Sequence, residues 1–170
     1  MSKLLRTAGL VLALSASASL ALADVEVRFI EPEKFSDASA DFSRREREPV
    51  LDGIKAHLEK LGAQLPGKDL KFEISNIDLA GDWEPVGPRM EMIRVLRGVS
   101  SPAIEFSYVL SEKGKTLQSG KIRLHDMAYM SNFNRYPDSD PIRYERRMID
   151  NWFRDEFKAP AVAEAKIQQP

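Results

Sequence analysis

The chain has 170 residues, with 25 Lys and Arg against 26 Asp and Glu and a formal net charge of −1. That balance gives no electrostatic reason to expect nucleic acid or an anionic membrane surface as a partner. It has no cysteine, which excludes disulfides, a thiol nucleophile and a lipid-bearing cysteine anchor.

Lys3 and Arg6 precede an apolar run from Ala8 to Ala23, and Ala21-Leu22-Ala23 ahead of Asp24 puts small residues at −3 and −1, as a signal peptidase requires. The run is diluted by Ser15, Ser17 and Ser19 and falls short of the roughly 20 apolar residues that cross a bilayer. Residues 1–23 therefore read as a cleaved signal peptide, and the exported chain as soluble, with no membrane span after processing. Its 147 residues (170 − 23) suit one domain, 24–158, with a core large enough to support itself. Residues 159–170 read as a flexible tail with nothing to pack against. The Arg44, Arg45, Arg47 and Arg143, Arg146, Arg147 clusters alternate with acids and read as solvated helix faces.

Val25, Val27 and Phe29 alternate with Glu26 and Arg28, as on a strand with one apolar face. Pro32 to Glu48 is polar and turn-rich, with Ser36-Asp37 and Ser43 as cap candidates. From Pro49 the period becomes helical: Val50, Leu51, Ile54, Leu58 and Leu61 share a stripe, Pro49 suits the first turn and Gly62 the position after the last. Leu70, Phe72 and Ile74 give a second strand, Met92 to Arg97 a short third. Ile104 to Leu110 and Thr116 to Leu124, joined through Lys113-Gly114, read as a hairpin with one wet face. Asp140-Pro141 opens a last helix with Tyr144, Met148, Ile149, Trp152 and Phe153 on its apolar face and Arg146, Asp150 and Arg154 opposite. The order β-α-β-β-β-β-α predicts an α+β fold of two layers, a mostly antiparallel sheet of about five strands covered by two helices.

No stretch carries a self-sufficient catalytic or cofactor signature, and no cofactor is expected. Gly62 to Lys68 has the spacing of a phosphate-binding loop, but Asp69 replaces the hydroxyl that would ligate magnesium and the segment runs from helix into strand. Asn76, Asp78, Asp82 and Glu84 suggest a calcium loop, but Ala80 stands where an oxygen ligand is needed. Leu79 and Trp83 are expected to dock on the sheet, with Gly81 supplying an unusual backbone geometry and Asp78 bonding to turn N–H groups. His57 lies in the apolar stripe with no local orienting group, whereas His125 ends a strand beside Asp126 and opens a long connection bearing Met127, Tyr129, Met130, Phe133 and Tyr136. Such a loop can close the core, contact a ligand, or do both.

Phe29 to Asp37, Asp78-Leu-Ala-Gly81, Ile93 to Leu96, Asp126 to Tyr129 and Tyr144 to Met148 with Trp152-Phe153 together resemble the bacterial exported family termed domain of unknown function 3016. The resemblance runs from Val25 to Phe157, with Ser101 standing where an aromatic is expected. It implies a periplasmic protein of mostly gammaproteobacterial type and carries over no catalytic or binding residue. The expectation is a non-catalytic binding module for an envelope protein or a small ligand. Its candidate surface comprises Asp78, Asp82, Trp83, Glu84, His125, Asp126, Tyr129 and Tyr136. The alternative is a metal-binding protein or metal-dependent hydrolase using His125 and Asp126 with Asp78 and Asp82.

Overall fold

The computed structural model describes residues 23–37 and 44–157; the expected leader up to position 22, the cap candidate Ser43 and the expected tail lie outside them. Six strands and two helices follow in chain order: β1 (Asp24–Phe29), α1 (Arg44–Gly62), β2 (Asp69–Asp78), β3 (Asp82–Val86), β4 (Glu91–Val95), β5 (Ala103–Glu112), β6 (Lys115–His125) and α2 (Arg143–Phe157). The fold is α+β. The main sheet has the order β1-β2-β5-β6, with β1 parallel to β2 through the α1 crossover and the remaining pairs antiparallel.

Both helices cover one face of this sheet. Leu70, Phe72 and Ile74 alternate inward on β2, as do Phe106, Tyr108 and Leu110 on β5, against Ile54, Leu58 and Leu61 of α1 and Met148, Ile149, Trp152 and Phe153 of α2. The Trp152 ring meets Phe106 edge-on at 4.8 Å and Tyr108 at 5.4 Å, and Phe72 lies 6.0 Å away. Such pairs each add about 0.5–1.5 kcal/mol beyond the area they bury.

Three details depart from the sequence reading. α1 begins before Pro49, which sits inside it as the sixth residue; there the ring removes the bond to the carbonyl four residues back and crowds that carbonyl, a cost confined to the first turns of the helix. Gly62 is the last helical residue, and a Cβ there would come within 2.5 Å of Val25, so its bareness serves helix-on-strand packing rather than a left-handed cap. The segment from Asp82, where no strand is expected, forms β3, pairing with β4 in a hairpin of its own apart from the main sheet. Pro85 suppresses the strand signal, yet a two-stranded ribbon has outer edges where a missing N–H costs nothing.

Gly81 turns the chain out of β2 into this hairpin at φ 85°. A Cβ at that position would lie 2.5 Å from the Val95 carbonyl oxygen, so the turn requires glycine twice over. Among the described residues no helix is long and apolar enough to cross a membrane.

Candidate functional site

Strand register brings part of the expected surface together. Asp78 pairs with Ala103, which pairs with His125, so the three lie side by side on the sheet face away from the helices. Asp78, Asp82 and His125 line one hollow of about 320 Å³ with Ser100, Ser101 and Arg123. Within it His125 Nε2 and Ser101 Oγ are 2.6 Å apart, and the Ser100 hydroxyl donates to Asp82. Partial burial raises the Asp78 carboxyl above its ordinary range, and the neighbouring Asp82 charge adds to this while His125 and Arg123 oppose it. Even so, among the described residues no group of three or more His, Asp or Glu side chains is disposed to hold a metal ion.

The other expected residues lie elsewhere. Trp83 and Glu84 are on β3, half-buried, with Glu84 held by both arms of Arg97 at 2.9 Å and closer. Asp126 turns away from His125 and pairs with Arg147 at 2.6 Å. Tyr129 is wholly buried against Ala80 and Tyr144, its hydroxyl donating to the Arg97 carbonyl at 2.7 Å. Tyr136 packs beside α2 and donates to Asp150 Oδ2 at 2.6 Å.

The loop from Asp126 to Asp140 is thus ordered without regular structure, and Arg147 organises it. This buried guanidinium donates to the carbonyls of Tyr129, Asn132 and Phe133 as well as to Asp126, satisfying backbone acceptors that no helix or strand uses. Asp126 also accepts from the Ala128 N–H at 3.0 Å, starting the loop as an Asx turn. Two more carboxyls hold the β2 exit: Asp37 accepts from Leu79 N–H, and Glu145 accepts from Ala80 N–H at 2.8 Å. Glu145 is completely buried, which pushes its carboxyl up and favours the neutral form.

A second cluster joins helices far apart in sequence. His57 on α1 donates through Nε2 to Asp150 on α2 at 2.9 Å, while Tyr136 and Arg135 from the loop both reach Asp150 Oδ2 at 2.6 Å. Desolvation alone would raise the Asp150 carboxyl, but the bonds from His57 and Tyr136 outweigh it and hold it low. His57 therefore has the orienting partner that the sequence near it lacks. Asp150 and His57 each look like ordinary helix residues, and only the 93-residue separation closed by the fold makes them a pair.

Asp150 and Arg135 of this cluster line the larger hollow, about 650 Å³ and open to solvent, between the loop, the C-terminal end of α1 and α2. Arg135, Arg147 and Arg154 line it with Asp150 and Asn151, and Phe133 stands at its rim, 88 % exposed. Sequence reasoning did not find this hollow, because its residues carry no common spacing; the one signal was the density of aromatic residues in a long connection.

Fold and site together define a small α+β domain with a helix-roofed sheet and, among its surface hollows, one holding Asp78, Asp82 and His125 and one rich in guanidinium groups. The chain belongs to the family described as Protein of unknown function (DUF3016), whose model matches residues 23–155. No curated protein and no solved structure matches it.

Proposed function

We propose that the chain is a non-catalytic binding module of the bacterial periplasm that holds a small ligand in the hollow between the loop and the two helices. The leader-like N-terminus and the family resemblance support the location. The hollow itself carries the reading: three segments converge on 650 Å³ of open space, a volume within the usual range of ligand sites. Its walls are fixed by Arg147 and Asp150, which hold the loop onto α2. A rigid polar wall around an open space suits capture without turnover.

The test is a thermal-melt screen of small metabolites against the mature chain and its Asn151→Trp variant, which fills the hollow from an exposed position on α2. A ligand that binds only the native state raises the melting temperature by mass action. The shift is expected in the parent and lost in the variant; equal shifts in both would place the ligand elsewhere and end this reading.

A protein partner is the second reading, favoured by the hairpin of β3 and β4. Met90, Met92 and Ile93 are 65 %, 50 % and 45 % exposed there, and a two-stranded ribbon presents unpaired edges to which a foreign strand can add.

A further inference from the structure

The residues around the larger hollow also specify what kind of ligand it takes. We infer that the hollow selects an anion, a carboxylate or phosphate carried on an apolar body; this rests on the ligand-seat reading above.

The lining has three guanidinium groups, Arg135, Arg147 and Arg154, against one carboxylate, Asp150. That carboxylate is already occupied by His57, Tyr136 and Arg135, so it offers little to a cationic ligand. Arg147 is buried and committed to the loop, and it contributes positive potential to the wall rather than a movable contact. Arg135 and Arg154 differ: their side chains are 64 % and 60 % exposed at the mouth, and Arg135, although bonded to Asp150 through Nη2, has further N–H donors on the same guanidinium. Among the described residues Arg154 is paired only with the adjacent, exposed Asp155, an ion pair of the kind that contributes little and is easily exchanged. Two planar forks line this one hollow, one from the loop and one from α2, and such a fork matches the geometry of a carboxylate or phosphate. The remaining lining includes Leu61 and Phe153, and Phe133 projects at the rim, where an apolar or aromatic body would cover it.

A free small anion and the head group of an anionic lipid carry this same chemistry. Titration calorimetry of the mature chain with phenyl phosphate, inorganic phosphate, benzyl alcohol and benzylamine tests the class, and sedimentation with vesicles of phosphatidylglycerol or of phosphatidylcholine distinguishes the sources. Phenyl phosphate is expected to bind most tightly and inorganic phosphate more weakly. Replacing both Arg135→Gln and Arg154→Gln is expected to weaken phenyl phosphate at least about tenfold, given the strength of charge-assisted bonds. Phe133→Ala should weaken phenyl phosphate while leaving inorganic phosphate unchanged. Sedimentation with phosphatidylglycerol alone assigns a lipid head group, and phenyl phosphate binding without sedimentation assigns a soluble anion; both support the inference. Benzyl alcohol or benzylamine binding as tightly as phenyl phosphate would overturn it, as would anion binding indifferent to the double arginine replacement, or no binding by any probe. Should benzyl alcohol bind and Asn151→Trp abolish that binding, the seat stands and only the anion class falls.

Discussion

Arg147 and Trp152 are five positions apart on α2 and almost equally buried, 6 % and 9 % exposed, yet they hold different parts of the molecule by different physics. Trp152 sits among Phe72, Phe106, Tyr108 and Phe157, where the sheet and helix exclude water and direction matters little. Arg147 sits beneath a loop that has almost no regular hydrogen bonding, and it holds that loop through directional hydrogen bonds. The first kind of contact shapes the body of the domain. The second places the loop that walls the proposed ligand seat.

The largest expected effect separates the two at once. Trp152→Ala should cost about 3–5 kcal/mol by removing an aromatic side chain from the core, with amide protection falling throughout β2 and β5. Arg147→Met should cost a similar amount, about 3–5 kcal/mol, because it leaves the Asp126 charge unpaired and three carbonyls without their donor. Its loss of protection should instead begin in the Asp126 to Asp140 loop, at denaturant concentrations where the sheet is still closed. Urea unfolding combined with native-state hydrogen exchange reads both; identical protection patterns for the two variants would break the distinction.

A smaller change sharpens it. Tyr129 reaches the Arg97 carbonyl through its hydroxyl, while its ring stacks edge-on against Tyr144 at 4.7 Å. Tyr129→Phe keeps the ring and orphans the carbonyl, so about 1 kcal/mol of stability should go. If the variant unfolds at the same urea concentration as the parent, the loop is held by apolar burial like the core, and the contrast drawn from Arg147 is too sharp.

The same contrast explains how much could be read in advance. Ile104 to Leu110 alternates, Tyr144 to Phe153 repeats at helical spacing, and burial obeys those periods, so the hairpin, both helices and their shared face were legible. The Asp82 to Val86 strand was not, since Pro85 and two acids mask any alternation. Nor were the buried charges on α2. Glu145 and Arg147 lie within the buried face beside Tyr144 and Met148, and Asp150, which the helical wheel puts on the wet side, is closed in by His57 and Tyr136. Polar contacts between distant residues need one partner each and leave no period behind. At the site, the nearness of Asp78 and His125 was foreseeable because both end strands of one sheet. The guanidinium hollow, assembled from single residues of three segments, was not.

Asp37 offers the mildest test, one in which acid acts in opposite directions on two carboxyls. Burial, reinforced by the charge of Asp78, pushes Asp37 from 3.8 to about 6, against the pull of the Leu79 N–H that it accepts. Between pH 4 and pH 6 the folded chain therefore binds a proton that the unfolded chain does not. The penalty for a charged Asp37 is full above pH 6 and relieved below about pH 4, so this group makes the fold more stable on acidification. Asp150, held low by His57 and Tyr136, works the other way: its stabilising contribution is present above its ordinary range and is lost as pH falls through its lowered value. Asp37→Asn keeps a carbonyl for the Leu79 N–H and removes the charge, leaving Asp150 in place. The stability of the variant relative to the parent should rise from pH 4 to pH 7, by on the order of 1 kcal/mol once solvent screening of this partly exposed carboxyl is allowed for. Urea midpoints across that range decide the matter. Parallel curves would mean that Asp37 stays ionised in the fold, and that the β2 exit, like the Asp150 cluster, is held by a full charge rather than by a carboxyl kept neutral at mild acidity.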